Sequence, residues 1–420
     1  MLKLGAVLPH THPLPPLASS ISVDTGYPTG RITTEDGEPI AAASQEGAVE
    51  VDEELLVTAL GHGHALPVPS YTIDLDGPPE HRWDEVCADQ QVGIVETRNI
   101  MYSFLKTLPT DPVPALLKVA ALWEAGGLPD PFRSELVGLA RCSGLSFADI
   151  ALAQMFYSVL AHAGPNWTKS VGQTGLGCTG VIANTAASGD VIHGRNLDFG
   201  PPPLAATMRN TTVDVTFTLG GKPHYQYVGF AGLVGFWTGM KAGAFSIEGN
   251  ERYWGSPTEG IVALASGALP PAMLIRQVLH DAPSFEAAVA QLAAGTPIAA
   301  PVYYIVGGIS AGQGAVVTRN RTAAVGEVFR MAAAEKWFMV QTNYDHWLPA
   351  PAGDDRRDIA IAAMQQVGAQ GVTPAAMFSV MSTPASSSSP GVKNNATIFT
   401  VIMSAGQGLF DTTVRHVPVV

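Results

Sequence analysis

The spacing of apolar residues changes near residue 178, and this change constrains the fold more than any other feature of the chain. Between residues 69 and 165, apolar side chains recur three or four positions apart, which predicts helices. Ser146 followed by Asp149 predicts the start of one helix, because this pair can form a capping box ahead of an apolar run. The part of the chain before residue 178 is therefore predicted to be mainly helical.

The part after residue 178 is predicted to be rich in strands. Residues 213–219 alternate between apolar and polar side chains, and Gly220-Gly221 predicts a tight turn into a second strand. Further strands are predicted at 232–238, 302–307, 313–319, 337–342 and 397–404, and helices at 270–280, 283–294, 354–367 and 374–381. This order favours an α+β fold in which helices cover antiparallel sheets, and it argues against an alternating parallel fold.

Residues 1–68 differ from both of these parts. They show no sustained helical or strand period, and they are rich in proline and small polar residues. This composition predicts an N-terminal extension that is poorly ordered or irregular. His10, His12, His62 and His64 leave a metal site open as the alternative, although two widely separated pairs carry little geometric information.

Charge and cysteine content exclude several classes of function. The chain has 23 Lys+Arg against 36 Asp+Glu and no basic cluster, so no nucleic-acid partner is expected. The three cysteines, Cys87, Cys142 and Cys178, cannot all pair within the chain, so at least one thiol is free or pairs elsewhere. No CxxC spacing occurs, which argues against a cysteine zinc site, and no bound metal is expected.

Two glycine motifs match familiar patterns but lack the context that those patterns need. Gly175 to Gly180 fits G-x-G-x-x-G, yet a polar loop precedes it and a strand, not a helix, follows. Gly308 to Gly312 fits G-x-S-x-G, but the residues on both sides read as strands. Ser310 is therefore predicted to lie in a hairpin turn and not on a nucleophile elbow.

A third constellation surrounds Cys178. If residues 178–183 and 191–197 form a hairpin, Cys178 lies level with the end of the second strand, near Arg195 and Asp198. The cation would favour the thiolate, and the carboxylate could hold a neighbouring amine. The alternative is structural, because buried cysteine is a common core residue and an Arg–Asp pair three positions apart is usually an ion pair.

The sequence around this constellation resembles a known family. Cys178-Thr179 and the segment from His193 to Phe199 are similar to the start of the catalytic subunit in acid ceramidase and N-acylethanolamine-hydrolysing acid amidase. Collinear similarities occur at Tyr71–Asp76, Pro78–Trp83, Gly235–Gly239, Gly249–Arg252, Tyr303–Gly308, Val317–Arg321, Thr342–Trp347, Asp354–Arg357 and Val401–Gly406. The resemblance spans residues 69–415, and the collinear series makes it specific.

The resemblance implies an N-terminal-nucleophile hydrolase with a four-layer αββα fold and no cofactor. It implies self-cleavage between Gly177 and Cys178, which leaves a helical small subunit, residues 69–177, and a catalytic subunit, residues 178–420, as a heterodimer. Gly177 departs from the family pattern, which has a bulky apolar residue at this position.

The resemblance also implies roles for individual residues. Cys178 is the nucleophile, and its freed α-amine is the base. Asp198 orients that amine, while Arg195 holds Asp198 and favours the thiolate. A mechanism with an amine base does not need His193 or His346, which are interpreted as structural. The remaining implied roles are an oxyanion-hole donor at Asn343, completion of the charged network by Arg356 and Glu251, and an acyl channel lined by Trp237.

The substrate that the resemblance implies is the amide of a long acyl chain, with transient contact to a membrane surface. Ceramide, N-acylethanolamines and N-acyl amino acids all stay open. Two alternatives remain: a related amidase acting on penicillin-like or bile-acid-like amides, and a lipid-binding protein without turnover. The pocket, not the fold, decides among these substrates.

The sequence gives divided evidence on the compartment. The family resemblance and four N-glycosylation sequons, at Asn166, Asn210, Asn320 and Asn395, favour a lysosomal or secretory protein. The apolar run near the N-terminus is too short for the core of a signal peptide, so a cytoplasmic location is left open.

Overall fold

The computed structural model describes residues 68–161, 177–186, 188–200, 202–331, 336–384 and 391–415. The predictions of an irregular extension and of a histidine metal site fall on residues outside these ranges, as does the sequon at Asn166. In the described part of the chain, no helix combines the length and the apolar character needed to cross a membrane.

Helices dominate the described chain before Cys178, as predicted. They are α1 (Asp84–Lys106), α2 (Val113–Leu122), α3 (Phe132–Ser143) and α4 (Phe147–Leu160), with short turns of other helix types at Pro79–His81 and Trp123–Gly127. The Ser146 hydroxyl accepts the N–H of Asp149, and the Asp149 carboxylate accepts the N–H of Ser146, so the predicted capping box forms. One strand, β1 (Ser70–Asp74), also lies here, which the helical pattern did not predict.

Strands and helices are interspersed after Cys178. The helices are α5 (Pro202–Asn210), α6 (Pro257–Ala265), α7 (Pro271–Asp281), α8 (Phe285–Ala293), α9 (Arg356–Val367) and α10 (Pro374–Met381). The strands are β2 (Thr179–Asn184), β3 (Val191–Asp198), β4 (Thr212–Leu219), β5 (Lys222–Phe230), β6 (Thr238–Lys241), β7 (Phe245–Glu251), β8 (Val302–Gly307), β9 (Gly314–Arg319), β10 (Phe329–Arg330), β11 (Phe338–Gln341), β12 (Thr397–Ser404) and β13 (Leu409–Val414).

The strands form two sheets. The larger sheet has the order β1-β4-β5-β6-β7-β8-β9-β10, and the smaller has the order β11-β2-β3-β12-β13. Strand β1 is parallel to β4, and the other pairs are antiparallel. The predicted Gly-Gly turn joins β4 to β5, where Gly220 and Gly221 have φ of 59° and 72°. Glycine suits both positions because other residues rarely adopt positive φ.

The two sheets pack against each other between two layers of helices. Strands β2, β3 and β12 of the smaller sheet contact β7 and β8 of the larger sheet. Helices α9 and α10 contact the smaller sheet, while α7 and α8 contact the larger one. This helix–sheet–sheet–helix arrangement confirms the predicted α+β class and its four layers.

Some predicted elements differ from the structure. The strand predicted at 232–238 is wrong, because the chain turns at Gly232, which has a φ of 87°, and strand pairing starts only at Thr238. The apolar side chains of this segment, such as Val234 and Phe236, are buried in the core from a loop. Helix α6 and strands β6, β7 and β13 were not predicted from the sequence.

Two of the three cysteines form a disulfide. Cys87 of α1 is bonded to Cys142 of α3, with Cα atoms 6.1 Å apart. Cys178 is a buried free cysteine. The structure therefore resolves the open question of pairing and leaves the thiol at the position that carries the proposed chemistry.

Candidate active site

The strands β2 and β3 form the predicted hairpin next to Cys178. Their register places Thr179 opposite Asn196 and Gly180 opposite Arg195. Cys178 directly precedes β2, so it lies beside the end of β3, which finishes at Asp198. The thiol donates toward the Asp198 carbonyl oxygen at 4.0 Å. The antiparallel pairing of β2 with β3 explains how these two residues, twenty positions apart, meet.

Arg195 points one N–H at the sulfur. Its Nη2 is 3.1 Å from the Cys178 Sγ, and it also donates to the Gly249 carbonyl oxygen at 3.1 Å. Its Nη1 donates to the Trp237 carbonyl oxygen at 2.6 Å and to the Thr238 hydroxyl. Because these backbone and side-chain acceptors surround the guanidinium, Arg195 is held in one orientation at the thiol.

Asp198 is held by residues that differ from the predicted partner. Its Oδ2 is 3.5 Å from the Arg356 Nη1 and accepts a hydrogen bond from the Asn394 Nδ2 at 2.9 Å. The hydrogen bonds of Arg195 go elsewhere, so Arg195 acts on Asp198 through its charge, which opposes the rise of the Asp198 pKa. Asn394 was not singled out from the sequence, and no local signal could find it, because it lies 196 residues further along the chain.

Arg356 and Asn343 are linked to each other and to the backbone around Cys178. The Arg356 Nε and Nη2 donate to both carboxylate oxygens of Asp354, each at 2.7 Å, which fixes the guanidinium at the start of α9. Its Nη1 donates to the Cys178 carbonyl oxygen at 3.3 Å, and its Nη2 donates to the Asn343 Oδ1 at 3.0 Å. The Asn343 Nδ2 donates to the Glu251 carbonyl oxygen at 2.9 Å.

Gly177 lies in close contact with these two side chains. A Cβ atom added at Gly177 would be 2.5 Å from the Asn343 Oδ1 and would overlap the Arg356 Nη2. Both side chains are buried and hydrogen-bonded, so they cannot easily give way. A side chain at position 177 would therefore require Asn343 and Arg356 to move.

An apolar cavity opens next to Cys178. Its polar end contains Cys178, Arg195, Asp198 and Glu251. Its apolar lining comes from both sides of residue 178 and includes Met101, Ala153, Phe156, Tyr157, Leu197, Phe199, Met208, Phe230, Leu233, Trp237, Pro270, Pro271, Ala272 and Met273. Trp237 thus lies where an acyl channel was predicted, and its ring is 4.3 Å from that of Tyr157, centroid to centroid.

Burial shifts the protonation of the acidic groups in this cavity. Burial raises the pKa of the Cys178 thiol, and the neighbouring Arg195 charge opposes that rise. Burial raises the pKa of Asp198 to about 6, against the lowering effect of Arg356. Burial alone raises the pKa of Glu251 to about 8, so this side chain is neutral at acidic and neutral pH. The resemblance implied that Glu251 completes a charged network, and the raised pKa indicates that Glu251 would do so as a neutral acid.

The described residues offer no metal site of the usual kind. No group of three or more His, Cys, Asp or Glu side chains within these ranges is arranged to hold a metal ion.

Comparison with known proteins places this geometry in a family. A family model described as the beta subunit of N-acylethanolamine-hydrolyzing acid amidase matches residues 67–125. The N-acylethanolamine-hydrolyzing acid amidase of Oryctolagus cuniculus is 37% identical over 343 residues, which cover 80% of this chain and 86% of that protein. This chain belongs to the family of N-acylethanolamine-hydrolysing acid amidases and acid ceramidases.

Other members of the amidase and ceramidase family extend the similarity. The acid ceramidase of Homo sapiens is 30% identical over 369 residues, covering 84% of this chain and 87% of that protein. A solved structure of the Caenorhabditis elegans N-acylethanolamine-hydrolyzing acid amidase ortholog has 33% identity and a TM-score of 0.48 and covers 55% of this chain and 93% of that chain. The 37% and 30% identities to the acid amidase of Oryctolagus cuniculus and the acid ceramidase of Homo sapiens confirm the predicted family over most of the sequence.

Proposed function

We propose that this protein is a cysteine amidase that hydrolyses the amide bond of long-chain N-acyl lipids. One observation carries the proposal: the Cys178 sulfur is held 3.1 Å from the Arg195 guanidinium at the polar end of an apolar cavity. A thiol next to a fixed cation is suited to nucleophilic attack, and the apolar lining is suited to an acyl chain. The names of the relatives, N-acylethanolamine-hydrolysing acid amidase and acid ceramidase, support this substrate class.

The enzyme is proposed to cut its own chain first. The Cys178 thiol attacks the carbonyl carbon of Gly177, and the peptide C–N bond breaks to give a thioester and a free α-amine. Water then hydrolyses the thioester, which leaves a new carboxylate at Gly177 and restores the thiol. The position of Arg356 supports this step, because its Nη2 lies beside Gly177 and its Nη1 donates to the Cys178 carbonyl oxygen at 3.3 Å.

Turnover is proposed to use the same sulfur on an external amide. The thiol proton passes to the α-amine of Cys178, whose ordinary pKa is about 8, and the sulfur attacks the amide carbonyl. An amide side chain has two N–H donors. One N–H of Asn343 donates to the Glu251 carbonyl oxygen, and the other can donate to an oxyanion. The leaving amine takes a proton, and water releases the fatty acid from the acyl-enzyme.

Neighbouring groups are proposed to assist these steps. Asp198, at the end of β3, orients the α-amine, and Arg195 stabilises the sulfur. Arg356 fixes both Asp198 and Asn343, with which it is in contact. Neutral Glu251 in the cavity can donate a hydrogen bond to the head group, which a charged carboxylate could not do.

A lysosomal or secretory compartment is proposed for this chain. The Cys87–Cys142 disulfide supports an oxidising environment during folding, since such bonds are rare in the cytosol. Asn210, Asn320 and Asn395 are exposed, as glycosylation requires. The substrate class further implies transient contact with a membrane surface, from which a lipid amide is drawn.

The proposal is tested by replacing the sulfur. Cys178→Ala should give a single full-length band on a denaturing gel and no fatty acid from ceramide, an N-acylethanolamine or an N-acyl amino acid. Wild-type protein should give two bands, with Cys178 as the first residue of the larger one. Ser310→Ala is the matched control, because Ser310 lies in the turn between β8 and β9, and it should behave as wild type. Cleavage near residue 177 in the alanine variant would rule out the mechanism.

A further inference from the structure

Glu248 is a fully buried carboxylate directly behind the catalytic arginine. It lies on β7, opposite Thr238 and Ile305 on the neighbouring strands. Its side chain is 0% exposed, and its Oε2 is 3.5 Å from the Arg195 Nε. Glu248 does not line the substrate cavity, so it acts on the site only through the residues it touches.

A glycine on the catalytic hairpin provides the space for this carboxylate. A Cβ atom added at Gly180 would overlap the Glu248 Oε1. Gly180 is paired with Arg195 in the β2–β3 register. The absence of a side chain at Gly180 therefore leaves room for the Glu248 carboxylate beside the hairpin.

The carboxylate and the groups that face it have few other partners. Within the described residues, neither Glu248 oxygen accepts a hydrogen bond, and the Arg195 Nε and His193 Nε2 are also without one. The His193 Nε2 is 3.7 Å from the Glu248 Oε2. Burying a carboxylate is costly unless a charge compensates it, so the contact with Arg195 is what makes Glu248 tolerable here.

His193 lies next to the same carboxylate. The Ser246 hydroxyl donates to the Gly307 carbonyl oxygen at 3.3 Å, so it accepts from the His193 Nδ1 at 2.9 Å. The proton on Nδ1 is thus assigned by this hydrogen bond, and Nε2 is the ring atom that faces Glu248. Glu248, His193 and Arg195 thus form one buried group.

We propose that Glu248 is a positioning residue that holds the Nε side of Arg195, so that its Nη2 stays aligned with the Cys178 sulfur. The carboxylate contacts one edge of the guanidinium, while the carbonyl oxygens of Trp237 and Gly249 accept from the other. Without Glu248, Arg195 keeps its charge and its hydrogen bonds to Trp237 and Gly249 but loses the contact on its Nε side. The effect of Glu248 on turnover rests on the proposed function, whereas its effect on the reactivity of the Cys178 thiol does not.

The test measures the reactivity of Cys178 as a function of pH. The two other cysteines are joined in a disulfide, so iodoacetamide alkylation reports on Cys178 alone. For Glu248→Gln, the midpoint of the alkylation profile should move upward by about one pH unit, and kcat should fall about tenfold with little change in KM. Removal of a nearby negative charge without loss of alignment would move the midpoint downward. An unchanged or lowered midpoint therefore overturns the proposal.

Two further variants keep the test decisive. Gly180→Ala displaces the carboxylate without changing any charge, and it should shift the alkylation midpoint in the same direction. If Glu248→Gln does not accumulate as folded protein, Gly180→Ala alone decides the outcome. Glu286→Gln is the control, because Glu286 is an exposed carboxylate paired with Arg330, and it should match wild type. Failure of wild-type protein to hydrolyse lipid amides would contradict the proposed function but leave the thiol profile as a valid test of Glu248.

Discussion

At the scale of single residues, burial gives similar carboxyl groups in one cavity different protonation. Asp198 is close to the Arg356 charge and accepts from Asn394, which limits the rise of its pKa to about 6. For Glu251, burial acts without such opposition and raises the pKa to about 8. Between these two values, Asp198 is an anion and Glu251 a neutral acid. The site can therefore orient a cation and donate a hydrogen bond at the same pH.

Glu251→Gln should change how stability depends on pH. The pKa of Glu251 is raised from 4.5 to about 8 on folding, so its contribution is fully present below pH 4.5 and is lost as the pH rises through 8. Relative to the glutamine variant, wild type should lose on the order of a few kcal/mol of folding free energy across this window. Thermal unfolding at pH 5 and pH 9 measures the difference, with Glu286→Gln as an exposed control. Parallel curves for wild type and the glutamine variant would contradict the assignment.

At the scale of secondary-structure elements, the sequence predicted the catalytic hairpin better than the cavity. The β2–β3 hairpin follows from local signals, namely two apolar runs around a turn, and it was enough to bring Cys178 next to Arg195. The strand prediction for residues 232–238 failed because an apolar run does not reveal whether its side chains face a neighbouring strand or a cavity. Asn394 and Glu248 were missed because their partners are distant in sequence, and their positions depend on how the two sheets pack.

The loop before β6 should control the preference for acyl-chain length. Trp237 lies in this loop and contacts Tyr157 of α4, and both side chains line the cavity. Trp237→Ala removes apolar surface from the lining, so KM for a long-chain substrate should rise about tenfold, while a short-chain amide should be affected little.

Chain-length series for wild type and Trp237→Ala measure this effect. Trp347→Ala is the matched control, because Trp347 is half exposed and does not line the cavity. Equal losses for short and long chains would indicate a general structural defect and would contradict a role in binding the acyl chain.

At the scale of the whole molecule, the segments on either side of residue 177 are joined through their interiors. Glu135 of α3 is 0% exposed and accepts from Arg82 at 3.0 Å, from Trp83 at 2.8 Å and from both Nη atoms of Arg276. Arg276 belongs to α7 beyond the proposed cleavage point, and its Nη1 also donates to the Val234 carbonyl oxygen at 3.1 Å. This buried ion pair connects the helical segment to the loop that carries Trp237.

Glu135→Ala should loosen the association of the two fragments after cleavage. Loss of one partner leaves the Arg276 charge buried and unpaired, which should cost about 3–5 kcal/mol. We expect a lower urea concentration to separate the fragments in size-exclusion chromatography. Glu96→Ala, at an exposed position of α1, should leave the elution unchanged. Unaltered co-elution of the Glu135→Ala fragments at every urea concentration would show that other contacts dominate.

Residues from both sides of the proposed cut line the cavity, so both fragments would contribute to acyl-chain selectivity. Phe156 and Tyr157 precede the proposed cut, whereas Cys178 and Trp237 follow it. Two polypeptides with separate termini would then share one binding pocket. Pairing the first piece of one relative with the second piece of another should produce a hybrid with the nucleophile of one parent and part of the fatty-acyl selectivity of the other.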